Sequence, residues 1–115
     1  PSSTLPPRVL FKTRNSQRPV TAPFAEDYVA VDAAAAQRMV EDGVLLVGID
    51  ALSIAPFDQP GDTTHHILLR NEVLIVEGLR LVGLTGGTYP FVVLPLSIPD
   101  ADGAPARAFI GLQFG

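Results

Sequence analysis

Residues 32–49, DAAAAQRMVEDGVLLVGI, limit the possible folds more than any other part of this chain. Asp32 is a good N-cap. The alanines that follow are the strongest helix formers, and Gly43 stands where a helix would stop. The pattern predicts a helix over residues 33–42. Residues 44–49, VLLVGI, follow at once as an unbroken apolar run, as expected of a strand covered on both faces. A further β-type run, RVLFKT, lies upstream at residues 8–13. Strand, helix, strand at this spacing predicts a right-handed parallel crossover.

The remaining segments continue that alternation. Residues 14–24 are polar and carry Pro19 and Pro23, so they read as a loop, and residues 50–61 hold Pro56, Pro60 and Gly61 and read as a second one. Asp62, Thr63 or Thr64 can cap a short helix over residues 65–71. Residues 73–79 read as a buried strand and 83–88 as glycine-rich turn. A β run covers residues 89–98, with Pro95 at a bend or an edge. PDADG at 99–103 is a turn signal, and 106–113 is the last strand. The order β-α-β-α-β-β-β predicts an α/β fold: a mixed β-sheet with flanking helices, its C-terminal pair antiparallel across a tight turn. Residues 1–7 are a Pro/Ser, linker-like segment, and the folded domain is expected over 8–115.

Composition removes several classes of function. Close to half of the 115 residues are apolar, enough for a packed core. The net charge is −4 with no basic stripe, which argues against nucleic-acid binding. The absence of cysteine excludes disulfides, thiolate metal sites and cysteine nucleophiles. No apolar run approaches the ~18 residues of a membrane span. PSSTLPPR has no charged stretch leading into an apolar one, so it does not read as a signal peptide, and a soluble, cytoplasmic protein is expected.

One residue sits awkwardly in this pattern. Glu77 lies inside the apolar run VLIVEGL, where an unpartnered carboxylate costs several kcal/mol or becomes neutral. It can reach water at the strand end, pair with Lys12, Arg70 or Arg80, or bind a metal. The histidines of the chain, His65 and His66, lie at the start of the second predicted helix. Neighbouring helical residues point about 100° apart, so only one of them can join a given site. A helix packed antiparallel to the following strand can bring either of them to Glu77, or both can be exposed loop residues. Two ligands are still fewer than a zinc site takes from its protein. Ser53 lacks the glycine-flanked turn of a nucleophile, and GLTGGT lacks the lysine of a phosphate loop. Asp50 ends a parallel-type strand, where sites gather, but can equally be a cap. Arg14 and Asn15 read as turn formers or functional loop residues.

Taken in order, RVLFKTRNS, DGVLLVGIDALSIAP, THHILLRNEVLIVEGL and YPFVVLPLSIPDADGAPARA resemble the C-terminal half of the metal-dependent cyclase/kynurenine formamidase family. The resemblance covers residues 8 to about 110. It implies a swivelling β/β/α fold and an amide or lactam hydrolase that uses zinc or manganese. It also implies that His65 and Glu77 are metal ligands, with His66 one position off, either behind the ligands or exposed. The family's H-x-G-T-H-x-D motif, which carries the other ligands, has no counterpart in this sequence, and Ala55 stands where the family often has Asp. The chain therefore reads as half of an enzyme, inactive alone. It is a fragment, one chain of a split enzyme or a degenerate member, in that order of preference. The runner-up is a non-catalytic structural or oligomerisation module. VLLVGI, VLIVEGL and FVVLPLSI would need covering, so a homo-oligomer or a chain supplying the other half is expected.

Overall fold

The structure, a computed structural model, describes residues 3–111. The chain forms two compact units, Pro1–Gly83 and Leu84–Gly115. In the first, β1 (Arg8–Phe11), α1 (Ala33–Glu41), β2 (Leu46–Ile49), α2 (Thr63–Arg70) and β3 (Leu74–Val76) alternate. The three strands are parallel in the order β1-β2-β3. Two crossovers of one hand in consecutive order place both helices on the same face of a sheet, and α1 packs on α2.

The register explains which residues form the core. Val9 pairs with Val47 and Val47 with Ile75, while Phe11 pairs with Ile49. Side chains alternate along a strand, so these residues share one face. They join a cluster with Ala36, Met39 and Leu68 of the helices. β2 is buried along its whole length, as a strand covered on both faces should be. On the opposite face Leu10, Gly48 and Val76 stand side by side. A Cβ on Gly48 would lie 2.5 Å from Leu10 Cδ2 and 2.7 Å from Leu79 Cδ1. Glycine here lets the two leucines close over the central strand.

Local chemistry sets the helix ends. The Asp32 carboxylate accepts the Ala35 N–H at 2.8 Å, and Gly43, with φ +82°, turns the chain out of α1. Asp42 accepts from Arg38 Nε and from the Leu5 N–H, each at 2.9 Å, which ties residues 3–7 to the end of α1. At the start of α2 the fully buried Thr64 donates its hydroxyl to the Val31 carbonyl at 2.8 Å. Gln59 completes the arrangement. Its Oε1 accepts the Thr64 N–H and its Nε2 donates to the Thr64 hydroxyl, both at 2.8 Å. Thr64→Val conserves shape but strands the Val31 carbonyl and the Gln59 amide, and is expected to lower the unfolding free energy by about 1–2 kcal/mol in urea titration.

In the second unit β4 (Phe91–Pro95) and β5 (Ala106–Ile110) form an antiparallel ladder from Phe91↔Ile110 to Pro95↔Ala106. Both pairing directions expected from the sequence are present, but in separate sheets rather than one. Pro95 ends β4, in keeping with a residue that has no N–H to give a neighbouring ladder. The connection is not a tight turn: it runs over residues 96–105, closed by the Leu96 N–H donating to the Pro105 carbonyl at 2.9 Å. The last strand stops at Ile110, and residues 112 and 113 of its expected span lie outside the described residues. Among the described residues no helix is long and apolar enough to cross a membrane.

Candidate metal centre

All three parallel strands release their chains at one edge, and the polar chemistry of the first unit collects there. Open parallel sheets bind ligands at their carboxyl ends for this reason. β3 ends at Val76, so Glu77 lies just past the strand rather than within it. Gly78, with φ +73°, turns the chain at this point. Residues 73–79 therefore do not form one buried strand, and the Glu77 side chain keeps 33% exposure. Its partners are not arginines. Glu77 Oε2 accepts the Ile54 N–H at 2.8 Å and lies 2.9 Å from His65 Nε2. The ion pair with a basic residue that would have favoured a closed structural module is not formed by Arg70 or Arg80.

His65 sits in the first turn of α2, twelve residues before Glu77. The helix runs back along β3, which brings its start to the strand's far end. The ring is held on both sides, since Nδ1 lies 2.5 Å from Asp62 Oδ1. Burial works against a charge on the ring, but the bonds to Glu77 and Asp62 outweigh it, so the His65 pKa is raised above the ordinary imidazole value. His66 points elsewhere. It is exposed, and its side chain makes no hydrogen bond or ion pair among the described residues.

Asp50, at the end of β2, belongs to a separate arrangement. It is 7% exposed and accepts from the Thr13 N–H and hydroxyl, both at 2.8 Å, and from the Ser16 N–H at 3.1 Å. The Ser16 hydroxyl also donates to it. Burial pushes the Asp50 carboxyl up, but these donors outweigh it and hold the pKa below the usual value. Asn15 locks the same loop to residue 29, donating to the Val29 carbonyl and accepting the Val29 N–H, both at 2.9 Å. Asp50, Asn15 and Ser16 thus build a loop rather than present reactive groups. A cavity of about 470 Å³ opens beside it, lined in part by Asn15, Arg18, Phe24, Tyr28, Leu52 and Arg80. Ser53 is an ordinary loop hydroxyl that accepts the Ala55 N–H at 3.2 Å.

Do these side chains suit a metal? A ring nitrogen and a carboxylate oxygen 2.9 Å apart can be two neighbours in one coordination sphere; Asp62 anchors the other ring nitrogen, and the Ile54 N–H holds that same Glu77 oxygen. Among the described residues no group of three or more His, Asp or Glu side chains could hold a metal ion. The pair therefore fits as part of a site. Asp62 and Glu77 lie on opposite nitrogens of the ring and do not converge. Sequence reasoning named Asp62 only as a helix cap. The signal for its real contact was its position at the helix start, three residues before His65.

No family model matches the chain. Individual proteins do. A kynurenine formamidase of Bordetella petrii is 33% identical over 106 residues, 92% of this chain and 50% of that protein. Cyclase-like protein 3 of Oryza sativa subsp. japonica is 38% identical over 107 residues, 90% of this chain and 39% of its own. A solved structure described as a potential metal-dependent hydrolase with cyclase activity superposes with a TM-score of 0.82 at 37% identity, over 90% of this chain and 50% of the other. Over this span the chain is similar to the kynurenine formamidases and cyclase-like proteins. It spans about half the length of the kynurenine formamidases it matches. The α/β fold read from the sequence is the fold of this cyclase-like group.

Proposed function

We propose that the chain is the C-terminal half of a metal-dependent amide hydrolase of the kynurenine formamidase type. One observation carries this reading: His65 Nε2 and Glu77 Oε2 stand 2.9 Å apart at the carboxyl edge of the parallel sheet. In it, His65 and Glu77 hold a divalent ion, zinc or manganese. The remaining ligands come from an H-x-G-T-H-x-D segment outside these 115 residues, on the same polypeptide or on another chain. The protein works in the cytoplasm as an oligomer, on an N-formyl arylamine such as N-formylkynurenine.

The ion would supply Lewis-acid polarisation of the amide carbonyl and activation of water. The chain's own residues do the holding. Glu77 brings the negative charge that a cation neutralises, and the Ile54 N–H fixes the carboxylate in place. His65 brings a nitrogen lone pair from a ring that is anchored on its far side. Neither residue is needed to move a proton.

Alone, the purified chain is expected to bind Zn2+ or Mn2+ weakly and to hydrolyse no formamide. Co-expression with a segment carrying H-x-G-T-H-x-D is expected to give a complex that retains metal and hydrolyses an aryl formamide. Hydrolysis by the isolated chain, lost in His65→Ala, would show that the half-site reading is wrong. Failure of the two parts to form any complex would count against a site completed by a separate chain.

A further inference from the structure

We propose that Asp62 is a positioning residue for His65: its carboxylate accepts a hydrogen bond from Nδ1–H and so leaves the Nε2 lone pair aimed at the position shared with Glu77. This rests on the reading of His65 and Glu77 as metal ligands.

The first support is what Asp62 does not do. An aspartate at a helix N-cap ordinarily turns its carboxylate onto the N–H groups of the first turn. Asp62 is the N-cap of α2 and makes no such bond. The Thr64 N–H, which an N-cap would take, is satisfied by Gln59 Oε1 at 2.8 Å. A side chain three residues upstream has taken over the capping, and the Asp62 carboxylate is left for His65 Nδ1 at 2.5 Å.

The backbone is bent for the same contact. Gly61 and Asp62 are both left-handed, with φ +66° and +51°. That conformation is ordinary for glycine but unfavourable for a residue with a Cβ. Local strain of this kind persists where the surroundings hold it, and it gathers at functional positions. Here it delivers a carboxylate whose side chain is 59% exposed to a ring that is 24% exposed.

The chemistry of the ring explains the benefit. A neutral imidazole has one N–H and one lone pair. Glu77 Oε2 and Asp62 Oδ1 lie within hydrogen-bond distance of opposite nitrogens. One neutral ring cannot donate to both carboxylates. If Nδ1–H is given to Asp62, Nε2 faces the Glu77 carboxylate with a lone pair, an arrangement that a cation between them relieves. Carboxylates that hold the outer nitrogen of a metal-bound histidine fix its tautomer and orientation, and losing one typically costs ~10–100-fold in metal affinity.

Imidazole 15N NMR at alkaline pH, where the ring is neutral, tests this directly, followed by Zn2+ titration of the same chain. The Nδ1–H tautomer is expected for His65 in the wild type. In Asp62→Ala the proton is expected to move to Nε2, toward Glu77, with Zn2+ affinity falling ~10–100-fold. Asp62→Asn keeps an acceptor oxygen and is expected to recover most of both. Amide spectra that overlay outside α2 establish that the variants are folded. An unchanged tautomer in Asp62→Ala, with Zn2+ affinity within about twofold of wild type, overturns the proposal. A tautomer that switches in Asp62→Ala, beside a wild-type chain that shows no Zn2+ response at His65 or Glu77, overturns the metal reading instead.

Discussion

Asp50→Ala is expected to lower the unfolding free energy at neutral pH by about 3 kcal/mol, the largest stability loss of any single change considered for this chain. The carboxylate is 7% exposed and collects the Thr13 N–H, the Thr13 hydroxyl and the Ser16 N–H at 2.8, 2.8 and 3.1 Å, besides the Ser16 hydroxyl. Removing it leaves donors of the loop after β1 without an acceptor, and an orphaned donor costs more than a hydrogen bond contributes. Asp50→Asn keeps one acceptor oxygen but turns two N–H groups toward donors, so it should lose about half as much. The acid dependence has a definite sign. The Asp50 pKa is held below its usual value in the folded chain, so its contribution is complete above the unfolded pKa of ~3.9 and disappears as pH falls through the folded one. Urea midpoints of wild type and Asp50→Asn should therefore differ at pH ~7 and converge in strong acid. A gap that persists unchanged in acid would show that packing rather than ionisation sets the loss.

How much of this was legible in the sequence depends on the range of the interaction. Helix α1 was readable almost to the residue, because Asp32, the alanines and Gly43 act on their immediate neighbours. Burial of β2 was readable because an unbroken apolar run has no solvent-facing alternation. The end of β3 was not. Val76, Glu77 and Gly78 look like a continuing strand, and only the left-handed Gly78 and the bond from Ile54 N–H, 23 residues away, show where the chain turns. For the same reason Glu77 looked buried when it is a third exposed. The meeting of His65 with Glu77 was foreseeable as one option from helix-strand packing, but its selection over His66 depends on the helix phase. For Asp50 the sequence does not separate a cap from a site, since nothing local announces donors 34 and 37 residues away. The separation of β4–β5 from the parallel sheet was likewise invisible, because strand direction can be read from connection length but sheet membership cannot.

Glu77 offers the sharpest separation of metal binding from folding, since each of its roles answers to a different substitution. Glu77→Gln preserves an acceptor for the Ile54 N–H, whose residue is fully buried, and should leave the urea midpoint nearly unchanged. It removes the negative charge, and a neutral amide is a much poorer partner for a divalent ion. Loss of a direct ligand should exceed the ~10–100-fold that an outer partner is worth, so Zn2+ affinity is expected to fall by at least about 100-fold. Glu77→Ala goes further and strands the Ile54 donor, which adds a stability loss of about 1–2 kcal/mol, kept at the low end because the carboxylate is partly solvated. His65→Ala should match Glu77→Gln in metal affinity while leaving that backbone bond intact. Calorimetric Zn2+ titration and urea denaturation of the three variants give the pattern: two lose metal without losing stability, and one loses both. Wild-type Zn2+ affinity in Glu77→Gln would remove Glu77 from the metal centre and leave it as an anchor for the loop at Ile54.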